Sequence, residues 1–135
     1  MKKEKILIIG SQQLGVNIAE FYSLRGDFVL VIDKNKDAFE RLKETNYSGK
    51  TSIGDASTAE VLDANEVSSF KRAFVVTNSD NSNIYIALLL EKMYGISDIT
   101  ISIKDETKAA LVTSPSVKTI MLNQLLFNAF LEGIN

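Results

Sequence analysis

The sequence predicts a doubly wound α/β fold, in which a six-stranded parallel sheet carries helices on both faces. Three observations support this prediction. Short, fully apolar runs such as 6–9 and 28–32 are typical of strands buried on both faces of a parallel sheet. Segments with helical periodicity separate these runs, so that strands and helices alternate along the chain. Most glycines stand at the expected element ends, where a positive φ or a close approach is needed.

The first βαβ unit runs from Lys5 to Asp33. Its opening strand ends at Gly10, and the helix that follows is terminated by Gly26. The apolar residues with helical spacing in this segment are Leu14, Ile18, Phe21 and Tyr22. A second buried strand leads directly into Asp33. A strand, a glycine turn, a helix, a strand and a terminal acid together form the pattern of a dinucleotide-binding unit.

The next part of the chain continues the alternation. Ser57 and Glu60 have the spacing of a capping box, in which each side chain bonds the other residue's amide, so we expect a helix to begin there. The expected elements are a polar-rich helix over 37–44 with Ala38, Phe39 and Leu42 on its inner face, a turn over 46–49, a strand over 50–53 and the capped helix to about residue 65.

The second half of the chain repeats the pattern. The fifth strand, 99–103, alternates apolar and polar residues, which predicts one less buried face. Pro115, the only proline, is expected in a turn. The elements expected here are a strand over 72–77, a polar loop over 78–81, a core helix through 84–93 ended by Gly95, the strand 99–103, a helix over 105–112, a strand over 117–121 and a last helix over 122–131.

The composition excludes several classes of protein. The net charge is −2, so no electrostatic attraction to nucleic acid or to an anionic membrane is expected. The chain has no cysteine and no histidine, which removes disulfides, thiolate metal sites and the commonest general base. No apolar run reaches the ~20 residues that span a bilayer, and no signal-peptide pattern is present. We expect one cytoplasmic domain over residues 1–135, with no catalytic site and no metal site.

A ligand site is expected beyond the carboxyl ends of the strands, where the strand order reverses. Gly10 allows a tight turn there, and Gly15 lets the first helix pack closely, so that the helix amides face a phosphate. Gln12 occupies the place of the middle glycine of G-x-G-x-x-G. Its side chain either obstructs a diphosphate or contacts it through the amide. The alternative is a plain strand–helix turn, in which the glycines serve geometry only.

Asp33 follows Gly15 at close to the ~20-residue spacing of an acid that binds an adenosine ribose. Its charge disfavours a 2′-phosphate, although the neighbouring Lys34 and Lys36 act in the opposite direction. The alternative role for Asp33 is to cap the helix that follows.

Two further groups of residues are expected at the same edge of the sheet. Asp55 either faces an adenine edge or makes an Asx turn. Thr77 and Asn78 lie opposite the glycine loop, or form only a turn between a strand and a helix.

The last helix differs from the others in the width of its apolar surface. Its apolar residues cover more than the single stripe that a sheet-packed helix needs. They are Leu122, Leu125, Leu126, Phe127, Phe130 and Leu131. If exposed, this surface favours dimerisation. The alternative is a deeper packing position within the monomer.

Taken together, nearly the whole chain resembles the RCK domain, the Trk-type nucleotide-binding regulatory domain of potassium channels and transporters. The Gly-Asp-Ala-Ser turn after the third strand is more specific to this family than the glycine loop. The matching stretches are residues 8–10 through Gly15, 31–33, 54–57, 75–78, and Asn83 with Ile84.

The resemblance implies binding of an adenine nucleotide, NAD(H) or ATP, ADP or AMP. It implies dimers, commonly assembled into a ring beneath a membrane pore-forming subunit, with a last helix (about 122–132) that crosses to the neighbouring subunit. By position, the phosphates would be held by Gly10, Ser11, Gln12, Gln13, Leu14 and Gly15. Asp33, beside Lys34, would hold the ribose. Asp55 and Ala56 would flank the base, and Thr77 and Asn78 would close the phosphate side.

We therefore expect a regulatory domain, peripheral to the inner face of the plasma membrane through its partner, that controls potassium transport when a nucleotide binds. An alternative is an interaction module of the same family with a degenerate pocket. A less favoured alternative is a small NAD-dependent oxidoreductase, which would need a substrate domain for which the chain has no room.

Overall fold

The computed structural model describes residues 3–134. Its strands form one parallel six-stranded sheet in the order β3-β2-β1-β4-β5-β6. The strands are β1 Lys5–Ile9, β2 Phe28–Asp33, β3 Lys50–Ile53, β4 Arg72–Val75, β5 Ile99–Ile103 and β6 Val117–Met121. The order reverses between β1 and β4, because β2 and β3 extend the sheet to one side and β4 to β6 extend it to the other. This is the predicted doubly wound, Rossmann-like topology.

Helices connect the strands on both faces of the sheet. They are α1 Gln13–Leu24, α2 Glu40–Lys43, α3 Ala59–Ala64, α4 Asp80–Tyr94, α5 Glu106–Ala109 and α6 Leu122–Ile134. Short 3-10 turns at Lys36–Phe39 and Val67–Ser69 precede α2 and β4. The predicted helix over 37–44 is therefore divided between a 3-10 turn and a short α-helix, and α5 is shorter than predicted.

The core divides into two layers because successive strand residues point to opposite faces. In β1, Leu7 and Ile9 belong to one apolar cluster, together with buried residues of α3 and α4. Ile6 and Ile8 belong to the other cluster, together with buried residues of α1 and the α2 region. The central strand is thus covered on both faces, and its carboxyl end is a rigid base for any site built there.

The buried face of α1 differs from the apolar pattern that predicted the helix. Its buried residues are Gly15, Val16, Ala19 and Ser23, whereas Leu14 is 40% exposed and Phe21 is 57% exposed. Small residues face the sheet because the helix lies very close to it. A Cβ added to Gly15 would stand 1.9 Å from the Gly10 carbonyl oxygen.

The predicted capping box at Ser57 is wrong. Thr58 caps α3, and its hydroxyl oxygen accepts a 3.4 Å hydrogen bond from the Val61 amide. The Ser57 hydroxyl instead donates to Asp55 Oδ1 at 2.6 Å.

The prediction of a less buried face on β5 holds at Thr100, which is half-buried, but not at Ser102. The strand lies between β4 and β6, and Ser102 is only 4% exposed although its side chain is polar. The Ser102 carbonyl accepts a 2.9 Å hydrogen bond from Asn83 Nδ2, so this buried carbonyl has a partner. The neighbouring boundaries also shift, since β4 ends at Val75 and α4 already begins at Asp80.

Candidate functional site

A cleft of about 360 Å³ opens beyond the carboxyl ends of β1 to β4, at the reversal of strand order. The predicted residues that line it are Gly10, Gln12, Asp33, Lys34, Asp55, Ala56, Thr77 and Asn78. The other lining residues are Ile9, Ile32, Asn35, Gly54, Ser79, Ser82 and Ile86. The N-termini of α1 and α4 both border this cleft, and their dipoles favour an anionic ligand.

Asp33 is held in place by hydrogen bonds to both of its carboxylate oxygens. The Ser11 amide and hydroxyl each donate to Oδ2 at 2.9 Å, and the Asn35 amide donates to Oδ1 at 2.9 Å. A carboxylate has about four acceptor positions, so a single one, on Oδ1, remains for a ligand. The alternative capping role of Asp33 is wrong, because Asn35 caps the next turn through the Asp37 amide.

Four residues of the glycine loop segment 10–15 do not line the cleft. Ser11 is 1% exposed and is directed at Asp33. Gln13 donates from Nε2 to Asn17 Oδ1 at 2.8 Å. The two others are Leu14, which is exposed, and Gly15, which is buried against the loop.

Gly10 and Gln12 are the loop residues that do line the cleft. Gly10 has a φ of +106°, and a Cβ there would lie 2.9 Å from the Val76 carbonyl oxygen, so both conformation and space require glycine. Gln12 has a φ of −77°, which any residue adopts. Gln12 in place of the middle glycine therefore causes no backbone strain. The consequence of this replacement is that a side chain lies within the cleft.

Asp55 makes the Asx turn that was one of its two predicted roles. Its Oδ1 accepts from the Ser57 amide at 2.9 Å and from the Ser57 hydroxyl at 2.6 Å. These bonds, the hydroxyl first, hold the pKa of the Asp55 carboxyl below its usual value, and the charge of Lys34 adds to the effect. Asp55 also lines the cleft. The turn therefore leaves the carboxylate ionised and at the ligand site.

Asn83 is a structural part of the site, and the sequence analysis gave it no role there. It is 1% exposed, and its Oδ1 accepts from the Thr77 amide at 3.0 Å. Its Nδ2 donates to the carbonyls of Thr77 and Ser102, at 3.2 and 2.9 Å. The side chain thus ties the end of β4 to the end of β5. An asparagine on the apolar face of α4 is the sequence signal that could have revealed it.

Lys104 is a second residue that the sequence analysis missed. It follows β5, and its ammonium donates to the Asn78 carbonyl at 2.9 Å and also to Asn78 Oδ1. Asp80, at the start of α4, accepts from the amides of Lys104 and Asp105 at 2.9 Å each. The loop after β5 is thereby fixed to the cleft wall.

A known protein family matches most of this chain. The family model of the TrkA-N domain matches residues 6–122. This chain belongs to the TrkA-N domain family. The Trk system potassium uptake protein TrkA of Streptomyces coelicolor is 29% identical over 118 residues, which are 85% of this chain. The TrkA-N domain described here spans about half of that relative, 51% of its length.

Solved structures share the fold of this TrkA-N domain. The TrkA-N domain of Escherichia coli inner membrane protein YbaL has a TM-score of 0.80 at 16% identity, covering 99% of this chain and 98% of that one. The NAD(P)-binding domain of an exopolyphosphatase-related protein from Archaeoglobus fulgidus also scores 0.80, at 17% identity and 98% coverage of both chains. The GsuK channel bound to NAD scores 0.78 at 20% identity, covering 93% of this chain and 22% of that one.

The α6 helix of the TrkA-N domain is exposed along its length. None of its described residues is buried, and six of its large apolar side chains are between 43% and 76% exposed, whereas Leu122 is half-buried. The six exposed side chains are Leu125, Leu126, Phe127, Phe130, Leu131 and Ile134. The alternative of a deep packing position within the monomer is therefore wrong. Across residues 3–134, no helix has the length and apolar character needed to cross a bilayer.

Proposed function

We propose that this TrkA-N domain is a cytoplasmic regulatory domain that binds an adenine nucleotide and controls a potassium channel or transporter. The observation that carries the proposal is the Asp33 carboxylate, held at the cleft with one open acceptor position. A ribose hydroxyl is the donor that fits this position. NAD(H) is the favoured ligand, and ATP, ADP and AMP are further candidates. The NAD-bound GsuK channel, which shares the fold, supports this choice.

We propose a place in the cleft for each part of the nucleotide. The phosphates would lie at the N-termini of α1 and α4, between Gly10 and Gln12 on one side and Thr77 and Asn78 on the other. The base would lie beside Asp55 and Ala56, with Lys34 at the same end. The volume of about 360 Å³ lies in the range of small-molecule sites.

Regulation would proceed through a dimer or ring of such domains. We propose that each chain forms a single domain over residues 1–135. A nucleotide that binds one dimer geometry better than another shifts the population by that difference in affinity. This mechanism needs no catalytic group. A sequence without histidine or cysteine, and cleft carboxylates already engaged in hydrogen bonds, support a regulatory protein over an oxidoreductase.

A thermal denaturation screen tests the proposal. A ligand at a hundredfold excess over its Kd stabilises the folded state by ~2.7 kcal/mol, which raises Tm by about 10 °C in a domain of this size. NAD, NADH, ATP, ADP and AMP are compared with NADP and with GTP as a base control. We expect shifts with at least one adenine nucleotide and a smaller shift with NADP. A flat response to all of them would favour an interaction module with a degenerate pocket.

The substitution Gln12→Gly is expected to tighten diphosphate binding about threefold to tenfold, which is ~1 kcal/mol. The change removes a side chain from the cleft, and glycine is well tolerated at an N-cap. Isothermal titration with ADP measures the effect. Gln13→Gly is the matched control, because the Gln13 side chain bonds Asn17 and does not line the cleft. Weaker ADP binding by the Gln12 variant alone would mean that the Gln12 amide contacts the ligand.

A further inference from the structure

The phosphate end of the cleft lacks a cation among its lining residues. The lining side chains include two carboxylates, Asp33 and Asp55, and one cation, Lys34. Lys34 lies near Asp55, where it helps to lower the pKa of that carboxyl, at the end assigned to the base. Residues 10–15 contribute no charged side chain. A diphosphate in this cleft would therefore meet helix dipoles and uncharged side chains, but no cation, at this end.

Lys104 bonds to a residue that lines that end of the cleft, and its positive charge is not paired with a carboxylate among residues 3–134. Its ammonium donates to two oxygens of Asn78, which itself lines the cleft. An ammonium has three donors, so one remains without an acceptor among residues 3–134. In the same part of the chain, no carboxylate forms an ion pair with Lys104. The nearby Asp80 carboxylate is occupied by the amides of Lys104 and Asp105.

The same residue is bonded to α6. The Asn123 side-chain amide, in the first turn of α6, donates from Nδ2 to the Lys104 carbonyl at 3.0 Å. The helix is otherwise exposed, with none of its described residues buried. Through its amide, carbonyl and ammonium, Lys104 is thus bonded to the start of α4, the start of α6 and the cleft wall.

We propose that Lys104 binds the diphosphate of the nucleotide and links the phosphate end of the cleft to α6. This inference rests on the proposed function, because it requires an adenine nucleotide in the cleft. A phosphate draws the ammonium from the neutral oxygens of Asn78, since a charged pair is stronger than a neutral acceptor. The loop after β5, whose Lys104 carbonyl accepts the hydrogen bond from Asn123, then adjusts. The position of α6 therefore depends on whether a nucleotide occupies the cleft.

The first test separates the phosphate from the nucleoside. Affinities for ADP and adenosine are measured by titration for the wild type, Lys104→Met, Lys104→Arg and the control Lys34→Met. We expect Lys104→Met to weaken ADP binding about tenfold, with adenosine unchanged and with binding retained in Lys104→Arg. The control should leave the ratio of the two affinities within about twofold. Equal loss for both ligands, or no loss, would overturn the phosphate contact.

The second test addresses α6 through hydrogen exchange of residues 122–126 with and without saturating ADP. We expect ADP to change the exchange rates in the wild type, and to have no effect in Lys104→Met even at full occupancy. Asn123→Ala should keep the wild-type affinity for ADP and lose the response of α6. A response that persists in both variants would overturn the link. If the wild type binds none of NAD, NADH, ATP, ADP and AMP in the thermal denaturation screen, the proposed function itself fails, which differs from ADP binding that is indifferent to Lys104.

Discussion

Replacing Asp33 with alanine is expected to weaken the binding of NAD and ADP by about 10- to 100-fold. The carboxylate has one open acceptor position, and a hydrogen bond to a charged group contributes about 1.5–3 kcal/mol, or roughly tenfold per 1.4 kcal/mol. The same change leaves the buried amide and hydroxyl of Ser11 without an acceptor. We therefore also expect the free energy of unfolding to fall by about 1–3 kcal/mol.

The ligand itself supplies the control for this experiment. The analogue 2′,3′-dideoxyadenosine diphosphate lacks both ribose hydroxyls, so it should bind the wild type and Asp33→Ala with similar affinity. Titrations are made at a temperature where circular dichroism shows both proteins folded. Asp33→Asn, which keeps the size of the side chain, should remain more stable and still lose affinity for ADP. If the dideoxy analogue loses as much affinity as ADP, Asp33 acts on the shape of the glycine loop and not on the ribose.

The fold was predictable because its strongest signals are local and agree with one another. The apolar run at 6–9, the break at Gly10 and the acid at Asp33 specify a βαβ unit before any tertiary contact is considered. Parallel strands with right-handed crossovers then leave few possible arrangements. The switch point follows from this topology, which explains why the cleft lies where the sequence placed it.

The errors arise where other contacts override a simple sequence pattern. Ser57 has the spacing of a cap, but its hydroxyl donates to the Asp55 carboxylate, and the next residue, Thr58, caps the helix. Ser102 suggests an exposed strand face, yet a buried amide from Asn83 satisfies its backbone carbonyl. The Asn83–Ser102 pairing joins residues 19 positions apart in the chain, and periodicity carries no information about it.

The site residues divide in the same way. Asp33 and Gly10 could be placed at the cleft because their positions follow from strand ends. Ser11 was expected at the phosphates, whereas its side chain is turned toward Asp33. Lys104 lies one strand beyond the expected site, and its relation to the cleft depends on the geometry of Asn78. A polar residue directly after the carboxyl end of β5 is a weak sequence signal for a site residue. In this topology, however, the carboxyl end of β5 lies at the same edge of the sheet as the cleft.

The double substitution Leu126→Glu with Phe130→Glu is expected to convert a dimer into a monomer. Phe130 is 70% exposed and Leu126 is 59% exposed, so a single chain leaves this apolar surface in water. Burying each side chain contributes about 1.5–3 kcal/mol, and each occurs twice in a two-fold dimer. The dimer dissociation constant should rise at least about a thousandfold. Sedimentation velocity at tens of micromolar measures the change in mass.

The matched control lies on the opposite side of the same helix. Gln124, Asn128 and Glu132 form a polar stripe with a spacing of four residues, so Asn128→Glu adds a charge without touching the apolar surface and should leave the dimer intact. Because α6 contributes no residue to the cleft, the double variant should still bind ADP, which shows that it is folded. A dimer that survives both glutamates, or a wild-type chain that is monomeric throughout, would show that α6 does not join two copies. The expected difference between the double variant and Asn128→Glu assigns the association to the apolar surface, since both variants add negative charge to the same helix.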